Sequence, residues 1–104
     1  MQVGLNVKAV CDRIIKDFSP LKVILFNIKR SPDGEEKSFK VCIVIDTDDK
    51  IGVEKRIYLD IDSEIPFDVL VYTPQEWDGL LLEKHSFAKR ITQEGTYVYG
   101  SDPT

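Results

Sequence analysis

Phe39-Lys40-Val41-Cys42-Ile43-Val44-Ile45-Asp46 is the stretch on which the fold turns. In an extended chain its side chains alternate, with Phe39, Val41, Ile43 and Ile45 on one face and Lys40, Cys42, Val44 and Asp46 on the other. That pattern predicts a strand over 39–46. Upstream, Val23-Ile24-Leu25-Phe26-Asn27-Ile28 is a short apolar run with branched and aromatic residues, held between Pro20 and the polar segment KRSPDGEEK. It reads as a buried strand over 23–28. Between the two, Ser31-Pro32-Asp33-Gly34 has turn chemistry, since Pro presets one turn dihedral and Gly accepts a positive one. The chain is expected to reverse there.

Working outward, Val7, Val10, Cys11, Ile14, Ile15 and Phe18 recur at helical spacing and predict a first helix, with Asn6 as N-cap and Ser19-Pro20 as its stop. Val53, Ile57, Tyr58 and Ile61 predict a second helix over 50–61, weakened by Gly52. FDVLVY, residues 67–72, is a third apolar strand. Thr73-Pro74-Gln75-Glu76 then supplies an N-cap, Pro at the first helical position and an acid in the capping-box position. A helix to about Leu82, another over 86–93, a stop at Gly95 and a short strand over 96–99 complete the order. The expectation is an α+β fold, a small mixed β-sheet flanked by helices, forming one domain over 1–104.

A chain of 104 residues is long enough to bury a single core without disulfides or a structural metal. A hydrophobic fraction of 42% beside 31% charged residues suits a soluble protein and argues against a disordered chain. The net charge of −4 gives no general attraction to nucleic-acid phosphates, so contacts of that kind rest on a local patch, Lys29 with Arg30. No apolar run approaches a membrane span and the first residues lack the basic-then-apolar order of a signal peptide, so the expected compartment is cytoplasmic. Cys11 and Cys42 have no metal or redox spacing and read as buried thiols.

With these elements in this order, the chain resembles the minimal nucleotidyltransferases of the polymerase-beta-like superfamily. In such domains a strand ends in Gly-Ser, a second strand about ten residues later begins with an Asp-x-Asp pair, and a third strand carries another Asp. Here Asn27-Ile28 follows Leu25-Phe26 at the Gly-Ser position, and ten residues separate Ile28 from Phe39. Ser38-Phe39-Lys40-Val41 stands in the place of Ser-Asp-x-Asp, so Phe39 and Val41 fall at the paired carboxylates. Asp68, within Pro66-Phe67-Asp68-Val69-Leu70-Val71-Tyr72-Thr73-Pro74, matches the third acid. The resemblance implies a nucleotidyltransferase-like fold with a degenerate catalytic motif, Asp68 being its vestigial catalytic residue.

Nucleotidyl transfer uses magnesium, which takes several oxygen ligands in near-octahedral geometry and stabilises attacking and leaving oxygens. Phe39 and Val41 offer none. Gly-Ser allows close phosphate approach and a hydroxyl donor, whereas Ile28 is bulky, branched and apolar. Two acidic pairs stand elsewhere. Asp46-Thr47-Asp48 reads as a solvated loop, and Asp60, Asp62 and Asp68 form the alternative metal cluster. Lys29 and Arg30 are candidate phosphate contacts, with strand-end solvation as the plain alternative. Asp68 is either a residual cation ligand or a carboxylate paired with a base such as Lys29 or Lys40. His85 reads as a helix-junction residue, Trp77 as packing, and the run Leu80-Leu81-Leu82 as partly a surface for another subunit.

The leading reading is a degenerate nucleotidyltransferase-like domain, a pseudoenzyme acting in protein binding or regulation. The resemblance makes a helical HEPN-type protein partner or an antitoxin role its natural setting, beside a homo-oligomer. Two alternatives stand next to it. One is retained magnesium-dependent transfer from a nucleoside triphosphate through Asp68 and relocated acids; the other is noncatalytic nucleotide sensing through Lys29, Arg30 and the altered turn.

Overall fold

The computed structural model describes residues 4–100, so the ends of the expected 1–104 domain lie outside the described residues. The order is α1 (Leu5–Phe18), β1 (Lys22–Arg30), β2 (Glu36–Val44), α2 (Lys50–Asp60), β3 (Phe67–Tyr72), α3 (Pro74–Leu81), α4 (Phe87–Glu94) and β4 (Thr96–Tyr99). The strands form one mixed sheet in the order β3-β2-β1-β4. β1 pairs antiparallel with β2 and with β4, while β2 and β3 run parallel. A hairpin suffices for the first pairing, whereas the parallel pair needs a crossover, which α2 provides.

The expected alternation along β2 separates two cores. Phe39, Val41, Ile43 and Ile45 join Val23 and Leu25 of β1 beneath α1 and α2, where Val7, Val10, Ile14, Val53 and Ile57 close over them. On the opposite face Cys42 and Val44 join Ile24 and Phe26 against Trp77 of α3 and Ala88 and Ile91 of α4. The result is a sheet covered by helices on both sides, as a sheet with two apolar faces requires.

Local chemistry explains most boundaries. The β1–β2 turn closes with the Ser31 N–H on the Glu35 carbonyl at 2.8 Å and the Gly34 N–H on the Ser31 carbonyl at 2.9 Å. Gly34 takes the positive φ of 90° that this reversal needs. Thr73 accepts from the Glu76 N–H while the Glu76 carboxylate accepts from the Thr73 N–H, a complete capping box with Pro74 opening α3. Gly52 is no break in α2, because its N–H donates to the side chain of the N-cap Asp49 at 3.0 Å.

Two expectations need correction. Asn6 is not the cap of α1: the helix starts two residues earlier, Gly4 holds the N-cap position without a side-chain cap bond, and the Asn6 amide reaches across to Glu64 at 3.3 Å. The Gly4 N–H donates instead to the Glu36 carboxylate at 3.1 Å, so a long-range contact from β2 replaces the local cap. The β1–β2 hairpin also extends further than the apolar residues, with polar Lys29, Arg30, Glu36, Lys37 and Ser38 continuing the strands. Backbone pairing needs no apolar side chains once the turn has set its register.

Candidate functional site

Midway along β1 the ladder to β2 slips. Phe26 pairs with Lys40 and Lys29 with Ser38, so Asn27 and Ile28 together face the single residue Phe39. This is a β-bulge, and Asn27 carries its strain with a φ of 50°. Asn is among the few residues that enter the left-handed region readily, because its short amide forms local hydrogen bonds. Asn27 therefore has the conformation for which glycine is the usual choice.

The bulge turns Ile28 into the core shared by α1 and α2, where it is half-buried against the same cluster as Phe39 and Val41. Phe39 is 1% exposed and Val41 is 0% exposed. Phe39 also stacks on Phe67 of β3 at 5.3 Å with the rings 10° from parallel, and Tyr58 of α2 tilts against Phe67 at 5.6 Å. These positions are filled by packed apolar side chains. The Tyr58 hydroxyl completes the arrangement by accepting the outward Val69 N–H at 2.8 Å, which caps a backbone group on the edge strand β3.

Asp68 lies elsewhere. In the parallel β2–β3 register Phe39 pairs with Phe67, Lys40 with Asp68 and Val41 with Val69. Residues in register share a face, so Asp68 is on the side of Lys40 and Phe26, opposite to Phe39, Val41 and Val69. It is exposed. Three carboxylates at 39, 41 and 68 would not converge on one side of this sheet. The alternative cluster does not form either: Asp60 ends α2, Asp62 follows it in the loop, and no three His, Cys, Asp or Glu side chains among the described residues gather to hold a metal ion. One exposed carboxylate beside buried Phe39 and Val41 does not fit magnesium.

A concavity of about 250 Å³ does open at this end of the sheet, bordered by Asn27, Lys29, Ser38, Lys40 and Asp68 together with Phe39, Pro66 and Phe67. Its polar edge is an exposed Lys29, a half-buried Lys40 and the Asp68 carboxylate. Such a rim can hold a small ligand by hydrogen bonds from lysine and amide donors. Arg30 is not part of it: its guanidinium is 3.4 Å from Glu36, the residue that also accepts from Gly4.

The remaining sequence candidates fall in separate places. Cys11 and Cys42 are buried and unpaired, and burial pushes each thiol up to about 12, with the Asp12 carboxylate adding to the effect at Cys11. Such thiols are poor nucleophiles. Asp46 and Asp48 are exposed in the loop before α2. Trp77 is 1% exposed and tilts against Tyr72 at 5.7 Å, so it packs; its indole Nε1 has no hydrogen-bond partner among the described residues. Leu80 and Leu81 are half-buried against the α3–α4 core, while Leu82 is 88% exposed. His85 is exposed between α3 and α4. Sequence reading missed what surrounds it, namely Lys84, Lys89, Arg90 and Gln93 around one polar concavity; the basic residues at helical spacing after Ser86 were the available signal.

Among the described residues, no helix is long and apolar enough to cross a membrane. In comparison with known proteins, the chain matches no family model, no curated protein and no solved structure.

Proposed function

We propose that this chain is a catalytically degenerate nucleotidyltransferase-like domain that acts by binding, in protein association or regulation, and does not transfer nucleotides. One observation carries the reading: Phe39 and Val41, at the two positions where the resemblance asks for metal-binding carboxylates, are 1% and 0% exposed and packed under α1 and α2. A metal pair needs fixed oxygen ligands open to a substrate phosphate, and neither side chain nor position offers that. The four-stranded mixed sheet with helices on both faces is compatible with such an origin.

The test is turnover. The folded chain is incubated with each of the four nucleoside triphosphates and magnesium, and pyrophosphate release is followed. No release above a protein-free control is expected; magnesium-dependent release that disappears in Asp68→Ala would overturn the proposal. Co-purification from the native extract addresses the partner, a stable helical protein being the expected companion.

A second reading, a noncatalytic nucleotide sensor, is favoured by the rim of Asn27, Lys29 and Lys40 around the 250 Å³ concavity. It predicts saturable calorimetric binding of a nucleoside triphosphate without turnover, weakened in Lys29→Ala.

A further inference from the structure

We propose that the concavity at the α3–α4 junction is a binding site for a small phosphate-bearing anion. It has a volume of about 270 Å³ and is lined by Lys84, His85, Ser86, Lys89, Arg90 and Gln93. Two lysines, an arginine and a histidine thus border one depression in a chain whose net charge is −4, and no carboxylate is among the lining residues. Among the described residues none of Lys84, Lys89 and Arg90 forms an ion pair with a carboxylate. Like charges held together without a counter-ion repel one another, and a bound anion relieves that repulsion.

The scaffold beneath is fixed. Ser86 is 8% exposed and caps α4, its hydroxyl accepting the Lys89 N–H at 3.1 Å and its carbonyl the Arg90 N–H at 3.2 Å. Ala88 and Ile91 anchor the other side of α4 in the core, and Phe87 meets Phe26 of β1 edge-on at 6.0 Å. Helical spacing then sets Lys89, Arg90 and Gln93 along the opposite side, facing the junction residues Lys84 and His85. The positive end of the α4 dipole adds to this field without making the site.

The donor set selects the ligand class. A guanidinium fork, two ammonium groups, an imidazole and a carboxamide together match the many acceptor oxygens of a phosphate or diphosphate group. A nucleic-acid strand is disfavoured, because one patch with three Lys or Arg neutralises few phosphates and the rest of an acidic chain repels the backbone. None of the lining residues belongs to the concavity at Asn27 and Asp68, so the inference stands apart from the proposed function.

The experiment is a titration of the full chain with inorganic pyrophosphate, followed by backbone amide shifts in NMR, with the fold of each variant checked by circular dichroism. Saturable shifts centred on Ser86, Lys89 and Arg90 are expected. Combining Lys89→Ala with Arg90→Ala should weaken binding by at least about tenfold, since two charge-assisted contacts are lost, while Lys16→Ala, at an exposed position on α1 outside both concavities, should leave it unchanged. If the double variant unfolds, Arg90→Gln, at an exposed position, carries the same test. Absence of saturation, shifts centred elsewhere, or equal affinity in the junction variant and the parent would overturn the proposal. So would tighter binding of a single-stranded oligoribonucleotide than of pyrophosphate at the same amides, which would assign the face to nucleic acid.

Discussion

Placing a carboxylate at position 41 is the sharpest test of whether the face beneath α1 and α2 is packed core or an open cleft. The Val41 side chain is 0% exposed, and its neighbours in the cluster include Leu25, Ile43, Val69 and Ile14. Val41→Asp gives up the apolar burial, about 1.5–3 kcal/mol for a valine-sized group. It also buries an acid whose ionisation costs several kcal/mol more unless it takes up a proton. The expected loss at neutral pH is above about 4 kcal/mol, a large part of the 5–15 kcal/mol typical of a domain. Denaturant unfolding followed by fluorescence of the buried Trp77 measures it. Burial raises the folded pKa of the new acid above its unfolded value of about 3.9. The unfolded chain therefore gives up this proton first as pH rises, and the deficit grows upward from about pH 4 until the folded pKa is passed. Val41→Thr, nearly isosteric, should fold and cost about 1–3 kcal/mol for its unpaired hydroxyl. A Val41→Asp protein that loses less than about 1 kcal/mol, or that magnesium stabilises, would refute the packed-core argument and reopen the metal site.

Four further outcomes follow from individual contacts. Asn27→Gly should be neutral to slightly stabilising, whereas Asn27→Val, forced to a φ of 50°, should cost about 1–3 kcal/mol in denaturant unfolding. Tyr58→Phe removes the acceptor of the Val69 N–H at 2.8 Å and should cost about 1 kcal/mol, with sedimentation showing whether the less protected β3 edge self-associates. Cys11 and Cys42 should resist a thiol reagent at pH 8 until denaturant is added; because their folded values lie near 12 and unfolded thiols ionise near about 8.5, stability should fall as pH rises between those limits. Trp77→Phe should cost clearly less than the roughly 3–5 kcal/mol expected of Trp77→Ala, since it also removes an indole N–H with no partner among the described residues.

What the sequence discloses and what it hides divide along physical lines. Alternation in 39–46 forecasts both cores, because side-chain direction in a strand follows from backbone geometry alone, and the Thr73-Pro74-Glu76 start of α3 is a local device whose parts lie within four residues. The start of α1 was misread because its partner, Glu36, is distant in sequence. The register of β2 against β3 was hidden for the same reason. Sequence pattern places Asp68 on the third strand, but only pairing with Lys40 shows which face it occupies. The basic junction around His85 escaped because its six residues look like ordinary surface until α4 sets them around one depression.

The bulge at Asn27 ties these threads together. If β1 and β2 paired without it, Ile28 would exchange faces and the partners beyond Phe26 and Lys40 would shift by one residue. With it, Ile28, Phe39 and Val41 join the same core, while Asn27, Lys29 and Lys40 remain at the rim. The left-handed backbone at Asn27 thus stands at the open rim, while the Phe39 and Val41 side chains are packed out of its reach. That combination is why the proposal is one of binding and not of catalysis: a rim shaped by the Asn27 backbone needs no acid to receive a ligand, whereas a two-metal mechanism needs fixed oxygen ligands that Phe39 and Val41 do not offer.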